Sequence, residues 1–258
     1  FWKLYKRPPI DDCQDYIIER RDLLVPQDVR ERKGAFFTPR EWVELSQKYM
    51  TKHLGKNWQD EYYIWDCAAG TGNLLAGLTN KYNVYASTID QADINVVYER
   101  IDNGANLLKK HVFQFDFLND DFSKIPESLQ KIIYDNEKRK KLIIYINPPY
   151  AEASSSKTVS GTGKNKAGVS TSYKVKEKLN PIIGSASNEL FTLFMAIIYE
   201  KIPGCILGQF SKLKFINGTN FRKFKDFFKA EYMGGFVVPA ETFDNVKGKF
   251  PIGFTIWD

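Results

Sequence analysis

The apolar run Lys141-Leu142-Ile143-Ile144-Tyr145-Ile146 passes directly into Asn147-Pro148-Pro149-Tyr150, and no other stretch constrains the fold as much. A continuous apolar run of this length suits a parallel strand buried on both faces. The prolines end it, because each fixes φ and lacks an N–H. Asn147 and Tyr150 are therefore expected to project from the carboxyl end of a strand. That is where open α/β sheets bind their ligands. A chain of 258 residues has room for one large α/β domain or two small ones.

Upstream, Tyr62-Tyr63-Ile64-Trp65-Asp66 reads as the first central strand and runs into Cys67-Ala68-Ala69-Gly70-Thr71-Gly72. Small residues and two glycines between a strand and a helix permit a tight turn and close approach of a ligand. A dinucleotide fingerprint would place a third Gly where Leu75 stands. Val84 to Ile89 reads as the second strand and ends at Asp90. That acid lies about 20 residues beyond the glycine turn, where nucleoside-binding sheets place a carboxylate for ribose hydroxyls. It would equally serve as a helix cap. The helix that follows sets Ile94, Val97, Ile101 and Leu108 on one face. Val112 to Phe115 is a short third strand ending in Asp116-Phe117. An acid beside an aromatic at a strand end could grip a purine; alternatively Phe117 is core and Asp116 a turn residue.

Earlier in the chain a helix is expected over about 11–24. Gly34-Ala35-Phe36-Phe37-Thr38-Pro39 then leads into a second helix. Thr38 with Glu41 forms a capping box in sequence, Pro39 falls on the first helical position, and Trp42, Leu45 and Tyr49 follow at helical spacing. Open N–H groups at such a helix start could hold a carboxylate. The cluster Lys138-Arg139-Lys140-Lys141 reads as a solvated loop.

Residues 151–187 are rich in Ser, Thr, Gly and Lys, and are expected to form a mobile basic cover over the Asn147–Tyr150 corner. An amphipathic helix over 188–200 turns Leu190, Leu193, Phe194, Ile197 and Ile198 inward, and Gly204 to Phe210 reads as the fifth strand. A basic helix bearing Arg222, Lys223, Lys225 and Lys229 follows, its aromatic and basic residues interleaved in a way that suits phosphate contact. Tyr232 to Val238 and Ile252 to Trp257 close the pattern as an antiparallel pair.

Composition narrows the function classes. Lys and Arg exceed Asp and Glu by 37 to 31, an excess that favours an anionic partner only weakly. Cys13, Cys67 and Cys205 lie far apart and only His53 and His111 accompany them, so neither a zinc site nor a disulfide framework is expected, and a reducing compartment fits. No apolar run approaches the ~20 residues of a membrane span, and no signal peptide is visible. The chain begins at Phe1 and stops at Asp258 directly after a strand-like run, which suggests a fragment.

Taken in order, Gly34–Pro39, Asp66–Gly72, Asp90, Asp116-Phe117 and Asn147–Tyr150 resemble the motif set of S-adenosylmethionine-dependent N6-adenine DNA methyltransferases. The likeness is to the gamma arrangement found in restriction–modification modification subunits and type IIG enzymes, and it spans roughly residues 30–258. It implies an α/β, Rossmann-like class I methyltransferase fold: a seven-stranded, mostly parallel sheet with one antiparallel strand and helices on both faces. It implies an N-terminal helical segment, 1–50, packed on a catalytic core, 51–258, with the target-recognition domain absent. By motif match, Asp66, Ala68, Gly70 and Gly72 would line the methionine side of S-adenosylmethionine, and Phe37, Thr38 and Pro39 would reach its carboxylate end. Asp90 would bind the ribose, and Asp116 and Phe117 the adenine. The first loop departs from the most glycine-rich forms, since Ala68 and Ala69 precede Gly70.

The implied reaction is methyl transfer to the N6 amine of an adenine flipped out of double-stranded DNA, with a specificity or restriction subunit or domain as a further partner, in a bacterial or archaeal cytoplasm. Its catalytic residues would be Asn147, Pro148, Pro149 and Tyr150, with no metal. The N6 lone pair is delocalised into the ring, so acceptors for both N6 hydrogens would bias it towards a reactive geometry. Asn147 and the Pro148 carbonyl can be those acceptors, and Tyr150 can stack an extrahelical base, a contact worth ~1–3 kcal/mol. Methylation of a protein glutamine or of RNA adenine, and a non-catalytic DNA-binding subunit, are the alternatives. An NAD dehydrogenase is disfavoured by Leu75 and by Asn147–Tyr150.

Overall fold

The computed structural model describes residues 38–150, 173–243 and 250–258. The expected helix over 11–24, the residues Gly34–Phe37 and the first part of the expected basic cover lie outside the described residues.

Seven strands form one sheet in the order β3-β2-β1-β4-β5-β7-β6. They are β1 (Tyr63–Asp66), β2 (Val84–Thr88), β3 (Val112–Gln114), β4 (Leu142–Ile146), β5 (Ile206–Lys212), β6 (Tyr232–Pro239) and β7 (Pro251–Trp257). β1 through β5 pair in parallel, while β7 runs antiparallel to both β5 and β6. β6 and β7 form the expected antiparallel pair, with β7 inserted beside β5 and β6 at the edge, an order the strand pattern alone does not set.

Alternation along the strands feeds two cores, one on each face of the sheet. Trp65, Leu142, Ile144, Ile146 and Leu207 belong to one, and Ile64, Ile143, Tyr145, Ile206 and Phe210 to the other. All five residues of β4 are buried, so the continuous apolar run is indeed a strand covered on both sides. Burying one such side chain stabilises the fold by roughly 1.5–3 kcal/mol.

Helix α1 (Arg40–Leu54) packs on the second face through Val43 and Met50. Its buried face is one residue round from the Trp42–Leu45–Tyr49 stripe, which is only partly covered. The capping box does not form: Pro39 occupies the N-cap position and no side-chain cap bond is present. After the short α2 (Trp58–Glu61) and β1, the glycine turn opens not into a full helix but into one 3₁₀ turn, Asn73–Leu75. Gly77, at φ 81°, lies just beyond this turn, in a backbone region that suits glycine. Helix α3 (Gln91–Asp102) buries Ile94 and Val97, with Leu107 rather than Leu108 filling the core beyond its end.

Two short helices, α4 (Glu127–Ile133) and α5 (Asn136–Arg139), lead to β4. The basic cluster at 138–141 is thus partly helical, and Arg139 donates to the carbonyls of Ile133 and Pro203 at 2.8 Å each. The low-complexity stretch yields a helix in its second half, α6 (Tyr173–Ile183), which sinks Leu179 and Ile183 into the first core. Those two residues, four apart, were the signal. Helix α7 (Leu190–Lys201) is buried nearly all round, including Phe191, Met195 and Ala196, so it is a core helix rather than a one-faced one. The expected basic helix is broken into α8 (Lys214–Asn217), a 3₁₀ turn and α9 (Arg222–Phe227), with Phe224 buried and Arg222, Lys223 and Lys225 on the solvent side.

Candidate active site

The carboxyl ends of β1, β2 and β4 converge, because the three strands are neighbours running in one direction. Asp66, Asp90 and Asn147 each stand at or just beyond such an end. This is the crevice position that parallel sheets offer a ligand.

At β4 the chain leaves the sheet through Asn147-Pro148-Pro149-Tyr150. Asn147 Nδ2 donates to Thr38 Oγ1 at 2.8 Å, across 109 positions of sequence. The Thr38 hydroxyl, buried just ahead of α1, therefore serves the Asn147 amide instead of capping its own helix. Asn147 Oδ1 accepts from the Tyr150 hydroxyl at 2.7 Å. Tyr150 is 3% exposed and meets Phe243 edge-on at 6.5 Å between ring centroids. The open stacking face expected of Tyr150 is thus closed in this conformation, because its hydroxyl is drawn inward to Asn147. The Tyr150 carbonyl accepts from Lys212 Nζ at 2.7 Å.

The turn after β1 supplies the second part. Asp66 is 1% exposed, and its Oδ1 accepts from the Ala68 N–H at 3.0 Å. Burial pushes its carboxyl up from 3.8 to about 7, opposed in part by the Ala68 bond. No ion pair joins it to a described residue. A buried acid of this kind calls for a cationic partner. Gly70 and Gly72 take φ values of 51° and 82°, which an L side chain resists. A Cβ on Gly72 would meet Val97 at 3.5 Å, an ordinary contact, so the constraint there is conformational. From α3, Arg100 Nη1 clamps the turn by donating to the Thr71 carbonyl at 2.7 Å and to Asn73 Oδ1 at 2.8 Å. Nothing in the sequence spacing marked Arg100.

Asp90 is the N-cap of α3 and accepts from the Ala92 N–H at 2.9 Å, so the helix-cap alternative is realised beside β2. The cap holds this carboxylate just beyond the end of β2. Asp116 and Phe117 differ from the purine-gripping expectation. Both Asp116 oxygens serve its own turn, accepting from the Leu118 and Asn119 N–H groups and from Asn119 Nδ2. The Phe117 ring is buried and stacks on Phe194 at 5.2 Å, within an aromatic cluster that includes Trp65 and Phe122. It is core, and offers no face to an adenine in this conformation. Phe37 lies outside the described residues.

A sheet ordered 3-2-1-4-5-7-6 with one reversed strand, carrying a glycine turn after β1 and an acid after β2, defines the class I methyltransferase architecture. The sequence profile of the N-6 DNA methylases matches residues 24–180, and the chain belongs to that family. No curated protein sequence matches. Solved structures with the same fold include DrdV bound to DNA, with a TM-score of 0.64 at 15% identity over 93% of this chain and 28% of that one. A nuclease-deletion mutant of the Type ISP restriction–modification enzyme LlaGI, with a DNA substrate mimic, gives 0.58 at 13% identity, over 97% and 28%. A Listeria monocytogenes protein described among class I S-adenosylmethionine-dependent methyltransferases gives 0.54 at 15%, over 86% and 60%. The chain thus spans under a third of the length of the first two.

Family membership implies S-adenosylmethionine as the methyl donor. The residues present fit it. The uncompensated buried carboxyl of Asp66 matches an amino-acid ammonium, and the glycine turn leaves main chain open to close approach. Among the described residues no group of His, Cys, Asp and Glu is placed to hold a metal ion, and no helix is long and apolar enough to cross a membrane.

Proposed function

We propose that the chain carries the catalytic region of an adenine-specific DNA methyltransferase of a restriction–modification system, acting on N6 of an extrahelical adenine. The observation that carries this reading is Asn147: its amide is held by Thr38 and Tyr150 at the carboxyl end of β4, next to β1 and its glycine turn. Membership in the N-6 DNA methylases supports the reaction, and the DNA complexes among the similar folds support the acceptor.

In this reading Asp66, Ala68, Gly70 and Gly72 hold the methionine end of the cofactor and Thr38 and Pro39 border its carboxylate, a role the motif match also assigns to Phe37. Asp90 takes the ribose hydroxyls, and Asp116 borders the adenine once its turn adjusts. When bound, S-adenosylmethionine supplies a sulfonium methyl as the electrophile. The residues of the chain prepare the nucleophile. Asn147 Oδ1 and the Pro148 carbonyl accept the two N6 hydrogens and draw the amine out of conjugation with the ring. Tyr150 swings from Phe243 to stack on the adenine, and in leaving it frees the Asn147 oxygen for the substrate amine. Base flipping costs a few kcal/mol of unstacking, which the aromatic contact partly offsets. Catalysis is then positioning and electrostatics, with no covalent enzyme intermediate. The methylated amine is a strong acid and loses its extra proton to water.

The acceptor is tested by offering labelled methyl donor with unmethylated duplex DNA, RNA and a glutamine-containing peptide in parallel. Label confined to DNA adenine supports the assignment; label confined to RNA or peptide replaces it. Binding of DNA without transfer to any acceptor would indicate a non-catalytic subunit.

A further inference from the structure

The catalytic turn has an anchoring problem that its own sequence creates. Pro148 and Pro149 carry no N–H, so two successive residues have no main-chain donor of their own with which to hold the turn. The β4–β5 pairing ends at Ile146 opposite Gln209, so the ladder does not extend under the turn. β5 nevertheless runs on for three residues, to Lys212, beside the departing chain. Lys212 Nζ donates to the Tyr150 carbonyl at 2.7 Å.

Two further groups face the ammonium at longer range. Glu189, buried immediately ahead of α7, has Oε2 at 3.9 Å from Lys212 Nζ, and its Oε1 bonds Lys214. The Phe250 ring, ahead of β7, lies with its centroid 5.5 Å from the same nitrogen. The Lys212 side chain is only 17% exposed. A buried ion pair is weak evidence of a stabilising role, because desolvation offsets much of the attraction. Geometry indicates a different purpose. The short contact goes to the turn, and the carboxylate stands further off as a countercharge. An ion pair built for its own sake would reverse those distances.

We propose that Lys212 is a positioning residue for the catalytic turn. Its ammonium, aimed by Glu189, fixes the Tyr150 carbonyl and through it the acceptors on Asn147 and Pro148. The proposal rests on the reaction assigned above to Asn147.

The test uses the whole protein and three variants: Lys212→Met, which keeps the length and removes the donors; Lys212→Arg, which keeps donors; and Glu189→Gln, which removes the countercharge. Two readouts are taken. The first is the single-turnover rate of methyl transfer to adenine in duplex DNA, with cofactor affinity measured separately. The second is amide hydrogen exchange of a peptide ending at Tyr150, which needs no substrate.

A displacement of the acceptors by about 1 Å can cost on the order of 10²-fold in rate. Lys212→Met is therefore expected to lose roughly tenfold to a hundredfold in rate, with cofactor affinity within about twofold. Exchange at the turn should accelerate about tenfold on loss of the anchoring bond. Lys212→Arg should restore both, and Glu189→Gln should fall between. A Met variant that transfers and exchanges as the unaltered protein does would overturn the proposal. So would an Arg variant as impaired as Met while still folded and binding cofactor. If Met does not fold, the Glu189→Gln exchange pattern decides. If the unaltered protein methylates no adenine while the turn loosens in Lys212→Met, the reaction assignment fails and the positioning role stands.

Discussion

Replacing Asp66 with Asn should abolish a pH dependence that the native site imposes on cofactor binding. Burial raises the Asp66 carboxyl from 3.8 to about 7. At ~1.4 kcal/mol per pKa unit, ionising it in the free protein costs about 4 kcal/mol. The sign follows from proton linkage. Folded protein binds this proton more tightly than unfolded chain does, so the contribution to stability is fully present below 3.8 and is lost as pH rises to about 7. A ligand ammonium reverses the preference, because it favours the carboxylate. Binding must then expel the proton below pH 7, so affinity should fall with pH there. At pH 6 about nine-tenths of the free sites are protonated, which weakens binding roughly tenfold relative to pH 8, or about 1.4 kcal/mol. Calorimetric titration with S-adenosylhomocysteine, in buffers of different ionisation heat, reads both quantities. The expected result is release of roughly 0.9 proton at pH 6 and ~0.1 at pH 8. Asp66→Asn should bind with a flat profile across that window. A flat profile in the native protein, or an unchanged slope in the variant, would refute the placement of Asp66 against the ammonium.

The remaining expectations concern the turn, its clamps and the core. Thr38→Val removes the acceptor of Asn147 Nδ2 and should slow methyl transfer roughly tenfold, with Thr38→Ser near native, since an unmet buried polar group costs ~1–3 kcal/mol; single-turnover kinetics check this. Gly72→Ala places a side chain at φ 82°, so thermal unfolding should show a loss of about 1–2 kcal/mol and calorimetry weaker cofactor binding. Arg100→Ala frees the Thr71 carbonyl and Asn73, and should weaken cofactor binding about threefold to tenfold with little change in the transfer step at saturation. Phe117→Leu should lower stability by about 1 kcal/mol while leaving cofactor affinity unchanged, because the ring is core; a large affinity loss would restore the adenine-platform reading.

The sheet was readable because each central strand is a short apolar run ending in a residue that breaks it. Parallel strands buried on both faces demand such runs, and Asp66, Asp90 and Asn147 punctuate them at their carboxyl ends. What failed to read was local chemistry overruled by distant contacts. Thr38 and Glu41 have the spacing of a capping box, yet the Thr38 hydroxyl goes to Asn147, a partner no local rule can see. Tyr150 follows two prolines and looks exposed, yet its hydroxyl turns back to Asn147 and buries the ring against Phe243. Asp116-Phe117 has the look of a ligand pair, but Phe194 arrives from α7 to enclose the ring. Arg100 and Lys212 escaped notice for the same reason, since each serves a main-chain carbonyl that sequence cannot locate. Within residues 173–183 the alternating Lys174, Lys176 and Lys178 hid the apolar spacing of Leu179 and Ile183.

The central claim is that Asn147 activates the N6 amine of a DNA adenine. Labelled methyl donor, unmethylated duplex DNA and separation of the product nucleosides test it, with Asn147→Ala beside the native protein. Label in N6-methyladenine that disappears in the variant, while cofactor affinity is retained, is the predicted result. Cofactor binding without label in adenine, or equal labelling by the variant, would contradict it.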